Sequence, residues 1–282
     1  MVSSELRLNL TVVIPTYNRA QHAERLAREL KGLNSEIIVV DDCSKPPVVV
    51  DGARVVRNSQ RLGVGESRNI GYKHVKSGWV LFLDDDLVPS PGLASFLQNL
   101  LPKLNDKEVV GFRIVGFNTV GSKRVRAETS DTKNARFRIL NILFGVDISP
   151  RSGPSRFTPA PAVLFQSDFF TSLGGYDIAS YKGNAFRISS DLQWRARKMG
   201  GRITYVENPF FEHLNIPGGH KKGHSGNDVY FMRNQTIFAI RSGGRASLVM
   251  IAGFAIYMLV KGFRLSTLVR GISQGLSVAL GA

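Results

Sequence analysis

Cysteine is almost absent, a single Cys43 in 282 residues. A lone thiol excludes an intramolecular disulfide framework and fits a reducing compartment or simple burial. Acidic side chains are also scarce: 22 Asp+Glu face 37 Lys+Arg, a formal charge of +15. Such a surplus points to a polyanionic partner, whether nucleic acid, an anionic membrane face or nucleotide phosphates. Yet the basic residues form no compact block and are spread over 123–138, 182–202 and 219–270. No zinc-ligand spacing, RNA-binding aromatic signature or basic zipper accompanies them, so no nucleic acid is expected as a partner. On charge alone, a basic nucleic-acid-binding α/β protein stays open as an alternative. No internal repeat is visible, and the opening MVSSELRLNL lacks the basic n-region and long apolar core of a secretory signal. Also missing is an uncharged run of the roughly 20 residues that a spanning helix wants. The stretch Ala246–Val260 has fifteen, bracketed by Arg245 and Lys261.

What the chain does have is a series of short apolar runs that end in polar residues. Leu10–Ile14 stops at Pro15, Glu36–Val40 runs into Asp41-Asp42, Arg54–Arg57 follows, and Trp79–Leu83 runs into Asp84, Asp85 and Asp86. Between them lie helical patterns: Ala23, Leu26, Ala27 and Leu30 within 19–31, a segment at 66–76, and Leu93, Phe96, Leu97, Leu100, Leu101 and Leu104. Strand and helix alternating in this way predict an α/β fold with a mostly parallel sheet, flanked by helices and joined by right-handed crossovers. Further strands are expected at 109–115, 162–165 and 203–206, with helices at 168–173 and 191–199. A basic loop of low periodicity (118–158) and a glycine-rich basic loop (218–226) interrupt them. The expected organisation is a catalytic domain over 1–240, with halves 10–115 and 116–240, and a C-terminal extension over 241–282.

A continuously apolar strand is buried on both faces, and ligand sites in such sheets lie beyond the carboxyl ends of the strands. Asp84, Asp85 and Asp86 stand at that end. Three adjacent carboxylates repel one another, and a hard divalent cation, Mg²⁺ or Mn²⁺, is the usual remedy. The competing reading is a solvated acidic turn ahead of a helix starting near Pro91. Arg61 and Arg68 flank a Gly-x-Gly segment (63–65) whose backbone offers close approach to a phosphate.

Five stretches now combine: Pro15-Thr16-Tyr17-Asn18-Arg19, Val39-Val40-Asp41-Asp42, Asn58 to Gly65, Ser67-Arg68-Asn69-Ile70-Gly71, and the aspartate triplet. In this order the chain resembles glycosyltransferase family 2, nucleotide-sugar enzymes of the GT-A, Rossmann-like fold. The likeness covers about 10–115 and continues through Gly174-Gly175-Tyr176-Asp177 and Asp191. It implies a nucleoside-diphosphate sugar donor. Pro15, Thr16 and Tyr17 would line the nucleoside pocket, Asp42 would accept a hydrogen bond from the base, and Arg68 would touch the nucleotide. Asp84 and Asp86 match the DXD motif as metal ligands, with Asp85 nearer the ribose. His213 is a further candidate ligand to the ion or diphosphate, with a structural histidine as its rival. His220, His224, Lys221 and Lys222 would lie on a loop able to close over the diphosphate.

The resemblance also implies a carboxylate base that activates the acceptor hydroxyl, which contributes about 10²–10⁴-fold in general. Asp191 stands in its place, with Ser190 where the family commonly has Glu; a first-turn acid serving the helix dipole is the other reading. Direct displacement with one base would invert the anomeric carbon. The uncharged 246–260 segment, edged by Arg245, Lys261, Arg264 and Arg270, is expected to lie in an anionic membrane surface rather than span it or pack on protein. That places the enzyme, peripheral or monotopic, on the cytoplasmic face of the cell membrane, with a lipid-linked or cell-surface glycan acceptor. A polyprenyl-phosphate sugar synthase is the nearer alternative, although Asp84-Asp85-Asp86-Leu87-Val88-Pro89 does not match its motif.

Overall fold

The structure is a computed structural model that describes residues 8–76, 78–120, 123–127, 139, 143–145, 151–183, 185–214 and 227–281. The glycine-rich loop expected at 218–226, with His220, Lys221, Lys222 and His224, lies outside them, as does most of 118–158. Among the described residues, ten strands form one sheet in the order β3-β2-β1-β4-β9-β6-β10-β5, with β7 on β6 and β8 on β10. In chain order the strands are β1 (Leu10–Thr16), β2 (Glu36–Asp41), β3 (Arg54–Arg57), β4 (Trp79–Leu83) and β5 (Leu87–Pro89). Then follow β6 (Glu108–Val120), β7 (Lys123–Ala127), β8 (Gly153–Pro154), β9 (Ala162–Gln166) and β10 (Arg202–Leu214). The helices are α1 (Ala20–Glu29), α2 (Val64–Tyr72), α3 (Leu93–Leu100) and α4 (Ser167–Ser172). After them come α5 (Ile188–Lys198), α6 (Asn227–Gly243), α7 (Ser247–Val260) and α8 (Leu265–Leu280).

The first half is parallel, as its apolar runs predict: β3, β2, β1 and β4 all pair in one direction. The second half is not. Strand β9 is antiparallel to both β4 and β6, and β10 runs parallel to β6 while β5 returns antiparallel on β10. The sheet is therefore mixed. Strands β6 and β10 are each 13 residues, longer than expected. A register shift in β10 between Val206 and Phe211 accommodates Pro209, which has no N–H to give the ladder.

Alternation along the buried strands feeds two cores. Leu10, Val12, Ile14, Val39, Leu81 and Leu83 pack with α1 and α3 on one face. Val13, Ile38, Val40, Val80 and Phe82 pack on the other with Phe169, Phe170, Leu192 and Phe238 of α4, α5 and α6. Helix α2 lies on this second face, very close to the sheet. A Cβ on its Gly71 would meet Val13 Cγ1 at 2.5 Å and Val40 Cγ2 at 2.8 Å, so only glycine fits. That approach brings Arg68, one turn earlier, to the end of β4.

At the C-terminus, α6 crosses the expected boundary at 240 and belongs to the core, burying Arg233, Asn234, Gln235 and Thr236. Helix α8 lies against it through Gly271 and Gly275. Asp228–Val260 is long and apolar enough, by length and composition, to cross a membrane. Its α6 half, however, is packed inside the protein.

Candidate active site

Strand β4 ends where the carboxylates begin. The Asp84 amide donates to the Pro161 carbonyl (3.0 Å) and the Leu87 amide to the Asp84 carbonyl (3.3 Å), closing a turn into β5. Strand β5 pairs with β10 so that Leu87 faces His213, and the Leu214 amide donates to the Asp86 carbonyl (2.9 Å). This antiparallel return carries His213 to the triplet from about 130 residues away in sequence. One ligand atom from each of Asp84, Asp86 and His213 lies within 4.8 Å of the others. His213 Nε2 is 3.4 Å from Asp86 Oδ1.

Two arginines answer the three carboxylates. Arg68, 3% exposed, donates from Nη2 to Asp84 Oδ1 (2.6 Å) and reaches Tyr176 Oη (3.3 Å) and Ser189 Oγ (3.5 Å) with Nη1. Arg19, just before α1, spans the other two. Its Nη2 lies 2.5 Å from Asp85 Oδ1, its Nε donates to Asp85 Oδ2 (3.1 Å) and its Nη1 to Asp86 Oδ2 (3.0 Å). Thr16 Oγ1 also donates to Asp85 Oδ2 (2.7 Å), and Arg25 donates to the Leu87 carbonyl (2.8 Å). Burial pushes the Asp85 carboxyl up to about 7, against the pull of Arg19 and Thr16. Burial and the neighbouring Asp86 likewise raise Asp84 above the ordinary carboxylate range, with Arg68 opposing.

A divalent ion fits these residues. Asp86 Oδ1 is buried beside His213 and accepts no hydrogen bond among the described residues, a desolvated acceptor suited to a cation. Two carboxylate oxygens and an imidazole nitrogen suit Mn²⁺ well and Mg²⁺ acceptably.

The strand ends beside this cluster form a knitted loop layer. The Asp42 amide donates to the Thr16 carbonyl, and the Asn58 amide to the Asp41 carbonyl, both at 2.9 Å. Asp41 gathers the Ser44 and Val48 amides and Arg57. Burial alone would raise its carboxyl, but these donors outweigh burial and hold it below the ordinary range. Asp42 accepts from the Leu62 and Gly63 amides, both at 2.8 Å, and from Asn58 Nδ2 (2.9 Å). It therefore organises the 58–63 loop. Arg61, on that loop, lies with its guanidinium carbon 4.2 Å from the Tyr17 ring centroid, a cation–π pair at the mouth of the layer.

The structure brings Thr16, Arg68, Asp84, Asp85, Asp86 and His213 together, and it gives three of the expected residues surroundings of a different kind. Pro15 is buried within β1, opposite Val40, so it shapes the strand end rather than lining a pocket. Asp85 is 0% exposed, its Oδ2 hydrogen-bonded by Thr16 and Arg19 and its Oδ1 ion-paired with Arg19. Asp191 is also 0% exposed, and its oxygens take Tyr181 Oη (3.0 Å), Arg195 Nε (2.8 Å) and Arg241 Nη1 (3.3 Å). It clamps α5 to α6 and to the loop carrying Asp177, which Arg241 also holds (2.8 Å). The first-turn residue of α5 that reaches the site is Ser189.

Arg19, Tyr176 and Ser189 escaped the sequence reading. Charge counting would have found Arg19, because three carboxylates at the end of a buried strand demand nearby cations. Tyr176 and Ser189 carry no such signal.

Residues 11–157 match the family described as Glycosyl transferase family 2. A pre-mycofactocin glycosyltransferase of Mycobacterium tuberculosis is 30% identical over 210 residues, 70% of this chain and 41% of that protein. A protein of Haemophilus influenzae named only as a glycosyltransferase is 42% identical over 85 residues, 27% of this chain and 29% of its own length. The chain thus spans less than half of these relatives. Among solved structures, Staphylococcus aureus TarS 1–349 in complex with UDP-GlcNAc superposes with TM-score 0.63 at 14% identity, covering 96% of this chain and 82% of its own. The mannosyltransferase PcManGT from Pyrobaculum calidifontis, in complex with GDP-Man and Mn²⁺, gives TM-score 0.55 at 16% identity, covering 99% and 76%. These two likenesses concern the fold, which is that of GT-A glycosyltransferases. Taken with the family match over more than half its length, they leave one conclusion: the chain belongs to glycosyltransferase family 2.

Proposed function

We propose that the protein is an inverting, metal-dependent glycosyltransferase that moves a sugar from a nucleoside diphosphate onto an acceptor presented at a membrane surface. The observation that carries this reading is the cluster of Asp84, Asp86 and His213 at the end of a parallel strand, with Arg68 beside it. Asp84, Asp86 and His213 would hold Mg²⁺ or Mn²⁺. When bound, the ion supplies Lewis-acid neutralisation of charge on the departing diphosphate. The Tyr17 ring and Arg61 offer a flat cationic platform for the nucleoside end of the donor, and the Asp42-organised loop holds that platform in place. Arg68 fixes Asp84 and adds positive charge where the diphosphate would lie. Direct displacement at the anomeric carbon, without a glycosyl-enzyme, gives inversion.

The acceptor side is read from α7. Met250, Ile251, Phe254 and Met258 face inward, while Leu248, Val249, Ile256, Leu259 and Val260 are exposed, the last at 81%. Leu265 and Val269 of α8 continue the apolar face, and Arg245, Lys261, Arg264 and Arg270 are exposed around it. An apolar face ringed by cations suits the interface of an anionic leaflet. With α6 buried in the protein, the helix would lie on the membrane rather than span it. This favours a lipid-linked or cell-surface glycan acceptor and a place on the cytoplasmic face.

Calorimetric screening of nucleoside diphosphates and their sugars, with and without Mn²⁺, tests the donor assignment. We expect one nucleoside diphosphate to bind, more tightly with Mn²⁺ present. Binding that ignores the ion, or no binding at all, would sink the reading.

A further inference from the structure

We infer that Arg19 decides which oxygen of Asp86 meets the ion and so sets the site's preference for a small octahedral cation over Ca²⁺; this rests on the metal reading above. Two arginines divide the oxygens of the cluster. Arg19 Nη1 takes Asp86 Oδ2 at 3.0 Å and leaves Oδ1, which is buried, accepts no hydrogen bond among the described residues and faces His213 Nε2 at 3.4 Å. Arg68 treats Asp84 in the same way, occupying Oδ1 at 2.6 Å and leaving Oδ2. Each carboxylate of the cluster therefore offers a single oxygen.

The chemistry of the two ion classes makes that division consequential. Ca²⁺ takes six to eight oxygens and commonly binds a carboxylate through both, whereas Mg²⁺ demands a near-ideal octahedron of single-atom ligands. A guanidinium parked on one oxygen takes up one of its lone pairs and competes with the bidentate mode that Ca²⁺ favours, while it leaves single-oxygen ligation open. Arg19 is built for this. Its backbone is anchored at the start of α1, where its carbonyl accepts from the His22 and Ala23 amides. Its fork grips Asp85 through Nε and Nη2 and Asp86 through Nη1 at once. Asp85, fully buried and also held by Thr16, is the fixed post against which the fork is braced. A lysine would supply the charge but not the planar fork, so it could not hold both carboxylates. Arg19 is thus a positioning residue acting through Asp86.

The test is Mn²⁺ binding to the purified full chain, followed by electron paramagnetic resonance of the free ion, with Ca²⁺ as competitor. Wild type should prefer Mn²⁺. In Arg19→Lys and Arg19→Gln, shown to be folded by circular dichroism, the ratio of Ca²⁺ to Mn²⁺ dissociation constants should fall by about tenfold or more as the bidentate mode opens. A ratio unchanged within about twofold in folded variants overturns the inference while leaving the metal site standing. Wild-type protein that binds no Mn²⁺ overturns the metal reading and this inference together. A measurement on wild type alone covers variants that fail to fold: the infrared carboxylate difference spectrum on Mn²⁺ loading should show the wide splitting of single-oxygen ligation. The narrow splitting of two-oxygen ligation overturns the inference.

Discussion

Replacing Asp191 by Asn separates two roles that give opposite signatures. As a general base, Asp191 would contribute about 10²–10⁴-fold to turnover and little to folding. As the clamp seen here, it is a fully buried carboxylate shared by Tyr181, Arg195 and Arg241. Asn keeps the shape but loses the charge, so Arg195 is left without a carboxylate while Arg241 retains Asp177. Breaking one partner of a buried pair costs about 3–5 kcal/mol, a large part of a total stability of about 5–15 kcal/mol. At roughly 2–4 °C per kcal/mol, the melting temperature should drop by about 6–20 °C. Turnover measured well below that transition should fall less than about tenfold, short of what loss of a base does. Tyr181→Phe, which removes one donor only, should lose about 1–2 kcal/mol and rank below it. The assay is a thermal melt beside a donor-turnover measurement on the same preparation. An unchanged melting temperature with a hundredfold or greater loss of turnover would refute the clamp and restore the base.

Asp42→Ala strips the Leu62 and Gly63 amides of their acceptor and should free the loop that carries Arg61. Calorimetry should then show nucleoside diphosphate affinity down by about tenfold or more, in line with orphaned donors worth about 1–3 kcal/mol, while Mn²⁺ affinity holds. The pair Ile256→Asp and Val260→Asp puts charge on the exposed face of α7. Flotation with anionic vesicles should show binding lost, with no change in melting temperature because neither side chain is buried. Asp85 has a folded pKa near 7, above its ordinary 3.8. Its protonated form favours the fold, so its contribution is full below about pH 4 and is lost as pH rises toward 7. The urea midpoint of Asp85→Asn should therefore gain on wild type between pH 5 and pH 8; a gap independent of pH would count against burial as the cause.

The parallel half of the sheet was legible because buried strands leave an unmistakable run of apolar residues, and Trp79–Leu83 followed by three aspartates marked the candidate site at once. The other half hid for a physical reason. β9 and β10 are antiparallel or mixed partners whose direction no local pattern encodes, and β10 carries Pro209 through a register shift that breaks its alternation. The three-residue β5 is too short to announce itself, yet its pairing with β10 is what delivers His213 to Asp86. The sequence could suggest His213 as a ligand but not why it arrives there.

The orientation of Asp191 comes down to a rotation. Read as the opening acid of a helix over 191–199, it would project from the N-terminus toward the donor. The helix in fact begins at Ile188, so Asp191 is already in its fourth position. Successive residues turn by about 100°, and two residues on from Ser189, the side chain has swung by about 200° to the opposite flank. Ser189 looks toward Arg68 at 3.5 Å, and Asp191 looks into the protein toward Tyr181 and Arg241. Arg195, at i+4, was the available clue: an acid already paired along its own helix face is being used to hold that face down. The N-terminal turn of α5 therefore presents the Ser189 hydroxyl to Arg68, and Ser189→Asp would be the substitution that puts an acid where the sequence led one to look.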